Sequence, residues 1–172
     1  MHRLILSAAV AATVASGVAV AEVKSSAPDG MVLQYKGELP LPRDEAWTRL
    51  VAISSWWNGS HTYSGDATNL TLDAVAGGCW CEMWEEGEIE HGRVVMAMKN
   101  NVLRVQGAFG PLQELGVNAV LTVTLADGAQ TGMTSVTMDY RVVGSSLTDL
   151  SPLAPIVDGV LQEQVNRLVK PE

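Results

Sequence analysis

Apolar and polar side chains alternate over residues 31–39, with Met31, Leu33 and Tyr35 on one side and Gln34, Lys36 and Glu38 on the other. That is the period of a half-buried strand. Pro42 suits the first position of a helix, and Ala46, Trp47, Leu50 and Val51 then recur at helical spacing, which predicts a helix of about three turns. A short second helix with Trp56 and Trp57 leads into a polar, turn-rich stretch, residues 58–69 (NGSHTYSGDATN), long for a hairpin loop. Strand-like runs follow at residues 70–75, 79–84, 89–99, 102–107, 117–125 and 131–143. Gly77-Gly78, Glu86-Gly87, Asn100-Asn101 and Asp127-Gly128 supply tight turns between them. Strands joined so briefly pair antiparallel. Leu153, Ile156, Val157, Val160, Leu161, Val165 and Leu168 form a closing helical stripe, with Ser151 or Asp149 as cap and Pro152 as first helical residue. The order strand, helix, short helix, six strands, long helix is that of an α+β domain, and the last helix should cover the sheet's apolar face.

The N-terminus changes the picture of where the protein works. His2 and Arg3 precede an uncharged apolar run at residues 4–14, and Ala19-Val20-Ala21 is followed at once by Glu22. This is the layout of a secretory signal peptide, so residues 1–21 are expected to be removed after Ala21 and the mature protein to be periplasmic or secreted. Residues 22–30 (EVKSSAPDG) read as a flexible leader to a domain at residues 31–170. No further membrane-length apolar run exists, so no stable membrane insertion is expected after cleavage. The chain carries 11 basic against 19 acidic residues, a formal net charge of −8. Without clustered Lys and Arg it is a poor partner for nucleic acid or for an anionic membrane surface.

Local sequence adds a resemblance. The element order, together with PRDEAWTRLV, WWNGSHTYSGDATNLTLD, GGCWCE, GAFGPLQ and APIVDGVLQEQVNRL, resembles the helix-grip fold of the SRPBCC and START-like superfamily. It is similar in particular to secreted SRPBCC-domain proteins filed near polyketide cyclases and activators of the heat-shock ATPase. The resemblance implies a curved antiparallel sheet of about seven strands gripping a long C-terminal helix, with two short helices after the first strand. It also implies a ligand cavity between sheet and helix. Fold does not fix activity.

On that frame, an apolar or amphipathic small molecule would be walled by Trp80, Trp84, Leu103, Val105, Leu121, Val123, Met138, Tyr140 and the helix face of Ile156, Val160 and Leu161. Trp57 and Tyr63 would line an entrance, and Phe109 would fold over the cavity as a lid or cap the core with Leu112. One of Trp56 and Trp57 is expected to plug the core. Glu82 lies between Trp80 and Trp84 on one strand face, where a carboxylate in apolar surroundings could bind a hydroxyl or amine or act as general acid or base. Alternatively it faces water or pairs with Arg93 or Arg104. A two-residue loop at Glu86-Gly87 would set Glu82 opposite His91, a three-residue loop opposite Gly92. If Glu82 is buried without compensation, Glu82→Gln should leave stability unchanged or raise it.

A cyclase- or hydrolase-like enzyme would use Glu82 with His61 or His91, and a protein-interaction module related to the ATPase activators is a third reading. Cys79 and Cys81 share a strand face. Two small packed residues are the plainer reading of them, and a strained, redox-active disulfide is the sharper one. A metal held by these thiols with His61 or His91 fits the spacing poorly. No cofactor is called for.

Overall fold

A computed structural model describes residues 20–170 of the chain. It opens with strand β1 (Val20–Ala27), which turns through Pro28-Asp29 into β2 (Gly30–Leu39). The flexible leader expected at residues 22–30 is therefore corrected: most of it is an edge strand paired antiparallel with β2. Residues 23–27 are all exposed, so no alternation betrays them, and polar side chains suit a sheet edge. The turn is held by Leu150 N donating to Pro28 O (2.9 Å) and Gly144 N to Asp29 O (2.8 Å). The expected export signal lies, save its last two residues, outside the described residues.

Helix α1 (Arg43–Val51) follows with Pro42 just before it, burying Ala46, Trp47 and Leu50. Three single 3-10 turns, Ile53–Ser55, Gly59–His61 and Ala67–Asn69, carry the chain to β3 (Leu70–Leu72). The meander is β4 (Cys79–Trp84), β5 (Gly87–Met98), β6 (Val102–Gln106), β7 (Asn118–Asp127) and β8 (Thr134–Val143), before helix α2 (Ala154–Leu168). All strands join one antiparallel sheet in the order β1-β2-β8-β7-β6-β5-β4-β3, eight strands rather than about seven because β1 adds an edge.

Helix α2 starts later than its sequence suggests. Residues 151–153 form a turn, and Pro155, not Pro152, sits in the first helical turn. The cause is Leu150, which is buried in the core, anchored to the β1–β2 turn, and accepts a hydrogen bond from Leu153 N (3.1 Å). Asp149, expected as a possible cap, is instead left-handed at φ 47°. The helix is fastened at both ends. Buried Tyr35 on β2 donates to Asp158 Oδ1 (2.9 Å), and Arg49 on α1 donates to the C-terminal carbonyls of Leu168 (2.7 Å) and Arg167 (2.8 Å). Burial, with Asp158 beside it, pushes the Tyr35 phenol well above its ordinary range. Among the described residues no helix is long and apolar enough to cross a membrane.

Candidate functional site

The polar segment between α1 and β3 forms one wall of a cavity because both of its ends are tied down. Toward α2, Arg167 Nε donates to Trp56 O (2.7 Å) and Asn58 N donates to the buried Gln164 (2.8 Å). Asn58 Nδ2 also donates to Glu163, which pairs with His61 Nε2 at 3.0 Å. The Asn58 hydrogen bond, with His61 and Arg167 adding to it, outweighs desolvation and holds the Glu163 carboxyl below its ordinary value. Toward the sheet, Tyr63 N (3.1 Å) and Ser64 N both donate to the carboxylate of Glu82.

Between this wall, the sheet and the first half of α2 lies a cavity of about 620 Å³. Its floor is a chain of rings: Trp57 meets Trp80 edge-on at 5.1 Å, Trp80 meets Phe109 at 5.0 Å, and Phe109 stacks on Tyr140 at 5.3 Å. The Tyr140 hydroxyl donates to Gly107 O (3.2 Å) and accepts from Phe109 N (3.1 Å), fixing the loop that carries Phe109. Burial raises the Tyr140 phenol above its usual range. Tyr63 reaches over the opening and donates to Gly110 O (3.1 Å). Opposite stands α2, where Leu161 is buried, Val157 and Val160 are half-buried, and Ile156 is 61% exposed at the rim.

A second carboxylate–imidazole pair stands on the sheet side of the cavity, and its carboxylate is buried. Glu82 is 0% exposed and contacts His91 Nε2 at 2.9 Å. The strand register that creates it differs from both alternatives read in the sequence, since the turn falls at Glu85-Glu86 and Glu82 stands opposite Ile89. A bulge then intervenes: Cys81 pairs with Glu90 and Trp80 with Gly92, leaving His91 without an opposite number. His91 and Gly92 are both buried while Glu90 and Arg93 are exposed, so the bulge keeps two neighbouring residues inside. The bulge needs small neighbours. A Cβ on Gly92 would lie 2.7 Å from Val105 Cγ1, and one on Gly107 would lie 2.3 Å from His91 O. Burial alone would raise the proton affinity of Glu82, but hydrogen bonds from Ser64, Tyr63 and His91 outweigh it and hold the carboxyl below its ordinary 4.5. Glu82 thus neither faces water nor pairs with Arg93 or Arg104; Arg93 binds Glu90 and Arg104 donates to Thr122.

Of the residues expected to hold a ligand, Trp57, Tyr63, Trp80, Phe109, Tyr140, Ile156, Val160 and Leu161 line the cavity, and His61 and His91 line it too. Leu103, Val105, Leu121, Val123 and Met138 do not. They are buried on the inner face of the central strands as part of the core, where the sheet is already covered, with α1 packed against β7. Trp84 sits at the far end of β4, its ring against Gly87, away from the cavity. Glu82 lies behind the wall, in contact with His91. Trp56, 2% exposed and donating to Leu50 O (3.2 Å), plugs the core, while Trp57 borders the cavity. Leu112 is buried and Phe109 faces the cavity, so the loop both caps the core and covers the site.

The plainer reading of the cysteines is corrected as well. Cys79 and Cys81 are joined in a disulfide on the strand face turned away from Glu82. Among the described residues no cluster of His, Cys, Asp or Glu is arranged to hold a metal ion. Thr62, Leu70, Val157, Gln113 and Glu114 also line the cavity. Val157 was visible in the helical stripe and Gln113 in GAFGPLQ. Glu163, which positions His61, reads in the sequence as one more charge on a solvated helix face.

No family model matches the chain, and no curated protein matches it significantly. Solved structures do. A conserved protein of unknown function from Enterococcus faecalis superposes with a TM-score of 0.59 at 10% identity, over 88% of this chain and 74% of its own. A truncated norcoclaurine synthase from Thalictrum flavum gives 0.55 at 15%, over 82% and 92%. DynU16, from the dynemicin biosynthetic locus, gives 0.55 at 18%, over 80% of this chain but only 45% of its own. At such identities the likeness speaks to architecture. With the eight-stranded antiparallel sheet and the closing helix described above, it shows that this chain has a helix-grip fold.

Proposed function

We propose that the protein holds an aromatic or amphipathic small molecule in the cavity between its sheet and α2, and that it does so after export from the cytoplasm. The fold is one that binds small molecules. The carrying observation is the first half of α2: Ile156, Val157 and Val160 turn an apolar face toward a floor of four aromatic rings, and nothing of the described chain fills the space between. An apolar helix face in a folded domain is normally spent on core contacts. Here it borders about 620 Å³ of open volume, the size of a small-molecule site.

The test uses anilinonaphthalene sulfonate, an amphipathic aromatic probe. Wild-type protein should enhance its fluorescence, and Val160→Asp should abolish the enhancement while the fold survives, since Val160 is only half-buried. Equal enhancement by both proteins would place the probe elsewhere and overturn the reading.

A further inference from the structure

The buried carboxylate of Glu82 fixes how the imidazole beside it is protonated. Glu82 is ionised at neutral pH, and a carboxylate only accepts, so its contact with His91 requires the proton on Nε2. In the neutral ring Nδ1 then carries a lone pair. Among the described residues nothing donates to that nitrogen, although His91 is 9% exposed and borders the cavity. Four donors around the cavity are committed elsewhere: the hydroxyls of Thr62, Tyr63 and Tyr140 to the carbonyls of Gly59, Gly110 and Gly107, and the Trp57 indole to His61 O. An acceptor that borders the cavity and meets no donor from the protein is open to a donor on the ligand.

We propose that the His91–Glu82 pair is a proton-accepting site, and that the ligand it selects is an aromatic ring bearing a weakly acidic hydroxyl. This deepens, and rests on, the reading of the cavity as a binding site. The rings of Tyr63, 5.9 Å from His91, and Trp80, 6.5 Å away, supply faces for an aromatic body, and Phe109 extends them. The hydroxyl meets Nδ1. Its O–H bond breaks, the electron pair stays on oxygen as phenolate, and an N–H bond forms on the imidazole. The resulting imidazolium lies against the Glu82 carboxylate, the arrangement that stabilises a charged imidazole in hydrolase triads. The other ionisable groups bordering the cavity are His61, which is paired with Glu163, Glu114, and the phenols of Tyr63 and Tyr140. Both phenols already donate to carbonyls, so neither competes for the proton.

The probes are para-nitrophenol, whose phenolate is coloured, and para-nitroanisole, which has the same body but no proton to give. Binding is read by tryptophan quenching and ionisation by the visible phenolate band, at a pH below the probe's own ionisation midpoint. Wild-type protein should bind the phenol more tightly than the anisole and raise the bound phenol's ionisation ratio about tenfold, one pKa unit. His91→Gln and His91→Asn should bind both probes alike and leave the ratio at that of free probe. Quenching without colour in the wild type, or colour undiminished in the variants, overturns the proposal and leaves the cavity reading standing. Failure of either probe to quench, with no response to anilinonaphthalene sulfonate, overturns both. If both variants misfold by near-ultraviolet circular dichroism, the phenol–anisole comparison in the wild type decides alone.

Discussion

Replacing Glu82 by Gln removes one charge and keeps the shape, and its cost follows from what the carboxylate holds. Three donors converge on it: Tyr63 N and Ser64 N from the loop wall, and His91 Nε2 from the bulge. A Gln offers one carbonyl oxygen and turns an amide NH₂ toward the remaining donors, so at least one charge-assisted bond is lost and a buried N–H is left facing another donor. A hydrogen bond to a charged group contributes about 1.5–3 kcal/mol, and relief of the carboxylate's desolvation offsets part of that. We expect a net loss of about 2 kcal/mol, which lowers Tm by roughly 4–8 °C for a domain of this size. This reverses the expectation from sequence that neutralising Glu82 is harmless, because the burial turns out to be compensated.

The pH dependence carries the same sign. The folded carboxyl sits below its ordinary 4.5, so its contribution is fully present above that value and is lost as pH falls through the depressed folded value. Thermal melts of wild type and Glu82→Gln should therefore differ most at neutral pH and converge on acidification. A neutral-pH Tm within about 1 °C of wild type, roughly what a surface substitution of under 0.5 kcal/mol gives, would refute the accounting.

Two further outcomes follow from the same structure. Leu161→Asp should unfold the domain or lower its stability by more than about 3 kcal/mol, since it puts an unpaired charge at a buried position of α2, across the cavity from its floor; circular dichroism melts check this, and a near-native Tm would show the helix face to be misassigned. For export, intact mass of the protein from the periplasm should begin at Glu22, and a mass that retains residues 1–21 would refute it.

Most of the fold was legible because local pattern and tertiary role agree. Met31, Leu33 and Tyr35 alternate and are buried, the meander's turn dipeptides sit close to its turns, and the closing stripe is a helix. The failures occur where a residue's partner lies far away in sequence. Strand β1 gives no signal of its own because every side chain from 23 to 27 faces water, and only pairing with β2 makes it a strand. The start of α2 is set by Leu150 docking on the β1–β2 turn, so a cap pattern that looks adequate at Asp149 and Ser151 goes unused. The same holds for the expected walls Leu121, Val123 and Met138. They share the inner face with Trp80 and Tyr140, but facing inward does not distinguish the part of the sheet covered by core from the part left open beneath Ile156 and Val160.

The Glu82–His91 pair shows why the chemistry was harder to read than the fold. Both residues stood out as candidates, yet their contact depends on a turn at Glu85-Glu86 and on a bulge that adds His91 to the inner face. Strand pattern alone is blind to a bulge, since one extra residue shifts every position after it to the other face. The signal that was present is glycine. Gly92 and Gly107 lie fifteen positions apart, and each is a place where a Cβ would collide with the neighbouring strand: with Val105 and Gln106 in one case, with His91 itself in the other. Two glycines packed backbone to backbone, one in β5 and one just past the end of β6, mark the spot where the sheet departs from regular pairing. The residue released there from the ladder is the imidazole that meets the buried carboxylate, so the irregularity that hid the site from the sequence is also what builds it.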